Sequence, residues 1–267
     1  MRKALIIGFQ YSDDKKLPGI ATDLYQVYTF LKKHNWQENE ICVMTDIEKD
    51  ETTDILKTSI IEKVVDSGVL SFIEDCKERE QYVLFTSHYH YNNFSSIFSE
   101  VGKSNDDRSS RTFNLFIYYT GHCKEGNIIL PNNSLINLPD YFSSKNIFTI
   151  IDCCEGGLDL PFVLNGDIYR CKENPVFFKD KIICISSSKD DEKSITTQSG
   201  SLFSRHIFDF LDESSNLSLI LQKINKLPFK QTGNISASFP SLYIPGFFYS
   251  YPSLDICVYG SHIVVRK

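Results

Sequence analysis

The chain has 267 residues, 42% of them hydrophobic, with a formal net charge of −6 and a pI near 5.5. That is enough apolar material for one large α/β domain or two small ones. The acidic balance argues against general nucleic-acid binding, and no apolar run approaches the roughly 20 residues of a membrane-spanning helix.

Lys3 to Phe9 reads as a buried strand. The opening MRKALIIGFQ is too short for a signal peptide, because polar residues follow at once. Residues 20–34 place Leu24, Val27, Tyr28 and Leu31 on one helical face. Ile41 to Met44 is a second short strand, and Thr52 to Val65 an amphipathic helix capped by Thr52 or Thr53. Phe113 to Tyr119, Ile147 to Ile151 and Ile182 to Ser186 are apolar, β-rich runs expected to be central strands. Ser201 to Leu211 and Leu217 to Lys226 carry helical patterns, and Asp255 to Tyr259 is a late strand. Residues 67–111 and 164–181 fit no element and are expected to be loops over the edge of the sheet. The alternation of strands and helices implies an α/β/α sandwich around a mostly parallel sheet.

Eight cysteines are spread along the chain with no CxxC pair. Cys42, Cys184 and Cys257 lie inside apolar runs. This pattern predicts buried, reduced cysteine and a cytoplasmic compartment rather than a disulfide framework, and it gives no sign of structural zinc. His88 and His90 form an HxH with no evident third ligand, so a packed or solvated loop is expected there.

Two strand ends carry chemistry. The run ending at Tyr119 continues into Thr120-Gly121-His122-Cys123. The run ending at Ile151 continues into Asp152-Cys153-Cys154-Glu155-Gly156-Gly157. In open α/β sheets, sites form at the carboxyl ends of strands. A thiol and an imidazole there are the minimum for nucleophilic catalysis.

Five segments in order resemble the caspase-like cysteine proteases, and metacaspases above all. Lys3-Ala4-Leu5-Ile6-Ile7-Gly8 and Leu17 to Asp23 match the opening strand and the LxGCxxDA segment. Tyr119 to Cys123 matches YSGHG, and Asp152 to Pro161 matches DSCHSG followed by LDLP. Ser186 to Ser194 and then Gly200 to Phe203 match the later small-subunit stretch. The resemblance implies a caspase-like three-layer α/β/α sandwich around a mostly parallel, roughly six-stranded sheet. It implies a single domain over 1–267. The large-subunit-like part covers about 1–165, the small-subunit-like part about 180–267, and 67–111 is a possible insertion. With the first strand starting at residue 3, no prodomain is expected.

The implied activity is peptide hydrolysis by a Cys-His dyad, with Cys154 as nucleophile and His122 as general base and acid. Cys153 takes the place of an inert serine and points into the core. Backbone N–H groups of Cys154 and of Cys123 or Gly121 form the oxyanion hole. Asp152 stands where Asp-cutting caspases carry Gln, and Asp23 where metacaspases carry a second pocket acid. With Thr120 in place of the pocket serine, these acids suit Arg or Lys before the scissile bond. Without the resemblance, Asp152 reads equally as a cap for the following turn and Asp23 as a first-turn helix acid.

Other positions depart from the family pattern. Cys123 replaces Gly and adds a thiol beside the site; Glu155 replaces His and is expected to face solvent. Of the family's calcium acids only Asp159 remains, with Asp140 as a helper. That is too few for the roughly 6–8 oxygens calcium takes, so no cofactor is expected. Arg170, Lys172 and Lys181 lie in an expected loop where the enzyme could cut itself. The partners implied are protein or peptide substrates with basic residues at the cleavage site, with no nucleic acid, no membrane and a monomeric state. The runner-up function is a catalytically weak or inactive homologue that works by protein binding, as a decoy or regulator in cell-death or stress signalling.

Overall fold

A computed structural model describes residues 2–47, 82–84, 115–141, 146–189, 192–228, 232–244, 255–259 and 262–266. The expected helix at 52–65, most of 67–111, and His88 and His90 lie outside these residues.

Six parallel strands form one side of the main sheet. They are β1 (Lys3–Gly8), β2 (Ile41–Thr45), β3 (Tyr82–Leu84), β4 (Leu115–Thr120), β8 (Asn146–Asp152) and β11 (Lys181–Ser186), in the order β11-β8-β4-β1-β2-β3. β4 is buried at all six positions and β8 at all but its first. Such strands have a core on each face and so read as continuous apolar runs. Alternate residues serve opposite faces. Ala4, Ile6, Phe116, Tyr118, Phe148 and Ile150 join one core, while Leu5, Ile7, Leu115, Ile117, Tyr119 and Ile151 join the other.

The first core is covered by α1 (Ile20–Lys33), α2 (Leu202–Glu213) and α3 (Leu217–Asn225). Each helix buries one apolar stripe, such as Leu24, Val27 and Leu31 in α1 and Phe203, Ile207 and Leu211 in α2. The second core is closed in part by a small antiparallel sheet of β5 (Cys123–Lys124), β6 (Asn127–Ile129) and β7 (Leu135–Ile136). Among the described residues, no helix is long and apolar enough to cross a membrane.

The main sheet is wider than expected. Beyond β11 it continues through β14 (Asn234–Ala237), β9 (Phe162–Asn165), β10 (Ile168–Cys171), β16 (His262–Arg266) and β15 (Asp255–Tyr259), all antiparallel, to make eleven strands. The expected loop at 164–181 is therefore partly strand. Asn165 and Ile168 pair across Gly166-Asp167, and Gly166 has φ +64°. That is a two-residue hairpin with glycine at its first central position, a turn chemistry legible in Asn165-Gly166-Asp167. Arg170 consequently sits within β10, paired to Val163 and His262, and Lys181 begins β11. Neither is in the exposed loop expected for self-cleavage.

A second hairpin, β12 (Thr196–Thr197) with β13 (Gly200–Ser201), leads directly into α2. Ser201 caps that helix by accepting from the N–H of Phe203 at 3.2 Å. Ser201→Ala is expected to destabilise the protein by about 1 kcal/mol. Urea unfolding would show this as a lower midpoint with unchanged slope.

Candidate active site

β4 and β8 lie side by side in parallel, with Thr120 opposite Asp152. Their carboxyl ends therefore deliver Gly121-His122-Cys123 and Cys153-Cys154 to one edge of the sheet. His122 and Cys154 are both half-buried there.

Tyr11 holds the His122 loop. Its hydroxyl accepts from the His122 N–H at 2.9 Å and donates to the Ile129 carbonyl at 2.6 Å. The Tyr119 hydroxyl donates to the His122 carbonyl at 2.6 Å. Tyr11 is itself pinned at φ +59° by Asp46, whose carboxylate accepts from the N–H groups of Gln10 and Tyr11 at 2.7 and 2.8 Å. Gly121 is required beneath this network, because a Cβ there would come within 2.5 Å of the Tyr119 hydroxyl and 2.9 Å of the Tyr11 hydroxyl. The imidazole Nε2 lies 2.8 Å from the carbonyl oxygen of Lys15. A carbonyl can only accept, so Nε2 carries a proton, and in the neutral ring Nδ1 has the lone pair. Nδ1 is thus the nitrogen able to take a proton from a thiol.

The nucleophile loop is anchored from β11. Ser187 and Ser188 hydroxyls donate to the Cys153 carbonyl at 3.2 and 2.7 Å. The N–H groups of Cys153, Glu155 and Gly156 go to Ser187 Oγ, the Glu192 carbonyl and Ser188 Oγ. Among the described residues no acceptor takes the N–H of Cys154. Cys154 is also close enough for its charge to act on Tyr119, whose phenol is held well above its ordinary range chiefly by burial.

Ile129 N–H donates to the His122 carbonyl at 2.9 Å, so Cys123 and Ile128 face each other as a non-hydrogen-bonded pair. In such a pair the amide of Cys123 turns away from β6. The amide of Gly121, in contrast, donates to the Asp152 carbonyl at 3.3 Å. The Gly121 amide, expected as an oxyanion donor, is thus already engaged.

On the helical face of the sheet, Asp23, Asp152 and Thr120 come together and are all buried. Asp23 accepts from the Ser201 N–H at 2.8 Å and from Thr120 Oγ1 at 3.4 Å. Asp152 accepts from Ser194 and Ser204 hydroxyls at 2.7 and 2.6 Å. Asp152 is therefore no turn cap; its carboxylate faces the amino end of α2, where the helix dipole favours negative charge. Burial first, then the charge of Asp152, raise the Asp23 carboxyl well above its ordinary range, against the weaker pull of Arg205. Gly200 at φ +94° lets the β12–β13 hairpin close on Asp23, since a Cβ there would stand 2.5 Å from Oδ1. Arg205 ties the hairpin down by donating to the Ser199 carbonyl at 2.9 Å.

A model of the caspase domain family, Peptidase_C14, matches residues 1–240. The chain belongs to the caspase domain family. That family consists of cysteine peptidases. Among solved structures, GSU0716 from Geobacter sulfurreducens is similar at 13% identity and TM-score 0.54, covering 94% of this chain and 97% of that one. Caspase-1 from Spodoptera frugiperda matches at 14% identity and TM-score 0.47, covering 88% and 85%. At 13% identity the Geobacter sulfurreducens structure speaks to the fold alone. No curated protein matches the chain.

One expectation for this caspase domain needs correction. Cys123 and Cys153, read as free thiols, form a disulfide with Cα atoms 5.7 Å apart. Adjacent parallel strands bring the two loops together, which composition cannot show. Asp159, the remaining candidate calcium acid, is ion-paired with Lys172, and Asp140 accepts from Asn137 at 2.9 Å. Glu155 is exposed as expected, at φ +60°, with its carboxylate 3.4 Å from the Glu125 N–H. Tyr11, Ser194, Ser204 and Arg205 were not foreseen, because isolated hydroxyls and a helix arginine carry no local signature. Cys154, Cys171 and Cys184 form no disulfide.

The raised Asp23 carboxyl has a consequence for stability. Its stabilising contribution is fully present below the ordinary carboxylate range and is lost as pH rises through the raised value. Asp23→Asn removes that loss and keeps an acceptor for the Ser201 N–H. The variant is expected to melt higher than the parent at neutral pH, by roughly 2–4 °C per 1 kcal/mol relieved. The difference should vanish near about pH 4. Calorimetry across pH checks this.

Proposed function

We propose that the protein is a cysteine endopeptidase of metacaspase type that cuts peptide bonds after Arg or Lys. Cys154 attacks the scissile carbonyl, and His122 takes its proton at Nδ1 and later gives it to the leaving amine. The amides of Cys154 and Cys123 receive the oxyanion. Asp23 and Asp152, with Thr120, hold the basic side chain, Arg through paired N–H···O bonds.

The observation that carries this reading is the buried pair Asp23 and Asp152. Two carboxylates are held in one desolvated place by hydroxyls and one amide, with Arg205 attracting Asp23 from a distance. Buried charges are strongly disfavoured unless paired. An incoming guanidinium or ammonium supplies the missing partner, whereas an aspartate would add a third negative charge. The same reading takes in a single domain with large- and small-subunit-like parts, supported by one sheet built from strands of both regions. It also takes in protein substrates, a monomeric state and a cytoplasmic setting.

Paired fluorogenic peptides ending in Arg and in Asp test the proposal. Cleavage is expected after Arg only and is lost in Cys154→Ala. Asp23→Asn is expected to raise KM for the Arg peptide roughly 10- to 100-fold, as loss of a charge-assisted hydrogen bond predicts. The parent's KM should fall as pH rises, because the raised Asp23 carboxyl must shed its proton to face a cation. Calcium is titrated alongside, and activity is expected without it. Cleavage after Asp would overturn the pocket assignment. Folded protein that cuts neither peptide would favour the binding-only regulator.

A further inference from the structure

We propose that the Cys123–Cys153 disulfide is a positioning element that holds the Cys154 thiol against the His122 imidazole, so that reducing it disables the dyad while leaving the acidic pocket intact. The inference rests on the proposed dyad and goes beyond it. The bond joins the residue directly after His122 to the residue directly before Cys154, across 30 positions of chain. No other covalent link connects the two loops among the described residues. Their remaining direct ties are weak ones, the Gly121 N–H to the Asp152 carbonyl at 3.3 Å and the Glu125 N–H to the Glu155 carboxylate at 3.4 Å. Otherwise each loop is anchored separately, the first by Tyr11 and Tyr119, the second by Ser187 and Ser188.

The same bond fixes the Cys123 amide beside that of Cys154, the two donors proposed for the oxyanion. It lies in the core behind the site, with Cys153 at 1% and Cys123 at 9% exposure. Asp23, Ser204 and the start of α2 are on the opposite face of the sheet, where Tyr118 reaches Ser204 at 2.6 Å. Opening the bond therefore loosens the dyad and its oxyanion donors without touching the carboxylates that bind the basic side chain.

The opening step needs a dithiol reductant. Its thiolate attacks the more exposed sulfur, that of Cys123, and Cys153 leaves as a thiolate that takes a proton. The reagent's second thiol closes a cyclic disulfide and frees Cys123. Two electrons and two protons pass from the dithiol to the pair, and Cys154 is a free thiol before and after.

The test compares three forms: parent protein kept in a mild monothiol with the bond intact by mass spectrometry, the same protein reduced by a dithiol and then reoxidised, and Cys123→Ser/Cys153→Ser. Two readouts are taken. For the Arg peptide, kcat is expected to fall about tenfold or more on opening, with KM within about twofold, and to return on reoxidation; the double variant is low and indifferent to dithiol. Independently of any cleavage, the rate of iodoacetamide alkylation of Cys154 is expected to be about threefold or more higher with the bond intact than in the double variant, because a base held beside a thiol activates it. Equal rates in folded protein, checked by circular dichroism, would sink the proposal, as would unchanged kcat. If no form cuts peptide but the rates differ, the protease reading fails and the positioning role stands.

Discussion

The arrangement depends first on the parallel pairing of β4 with β8. Parallel neighbours end at the same edge of a sheet, and the register sets Thr120 against Asp152. One step beyond, that register makes Gly121 donate to the Asp152 carbonyl. Two steps beyond, an imidazole and a thiol stand on adjacent loops. A slip of one residue would send every side chain of β8 to the other face, moving Asp152 out of the acidic pocket and Ile151 into it. The six-residue buried face of β4 and the apolar run of β8 make such a slip prohibitive, so the core itself guarantees the register of the site.

The acidic pocket opposes that stability. Asp23 and Asp152 are desolvated and close enough for one charge to raise the other's carboxyl. The fold offsets this with the amino end of α2, three hydroxyls and a backbone amide rather than with a salt bridge. Each of these groups donates a hydrogen bond, yet none neutralises the pair. The hairpin of β12 and β13 seals the pocket only because Gly200 has no side chain to collide with Asp23, and Arg205 holds that hairpin from α2. The pair is thus a buried acidic site held by hydrogen bonds alone, with burial and the charge of Asp152 keeping the Asp23 carboxyl raised.

The opposite face of the sheet uses a different strategy. There the chemistry-bearing loops are fastened by tyrosine hydroxyls, serine hydroxyls and one disulfide. A cleft of about 710 Å³ opens beside Glu125 and Glu155, lined also by Gly157, Asp159 and Lys172. Burial raises the Cys184 thiol, which lies under the same floor, to about 12, so it stays protonated and inert. Cys154 is half-buried, and its amide has no acceptor among the described residues.

Much of this was legible in the chain itself. The apolar runs at 3–9, 41–44, 147–151 and 182–186 and the helical stripes at 20–34, 201–211 and 217–226 reappear within a few residues, because burial on one or two faces imposes periods that survive in one dimension. His122 and Cys154 could be singled out because each follows the end of such a run, and Asp23, Asp152 and Thr120 because the motifs around them resemble those of the family. Asn165-Gly166-Asp167 was legible too, but its turn was passed over among polar neighbours. What no local pattern encodes is which loops become neighbours. The order of strands decided that Cys123 meets Cys153, that Gly121 spends its amide on Asp152, and that Tyr11, Ser194, Ser204 and Arg205 converge on residues far away in the chain. The sequence by itself determined the elements and the chemically able residues; the tertiary structure alone decided their pairing, because pairing is a property of strand adjacency and register rather than of composition or period.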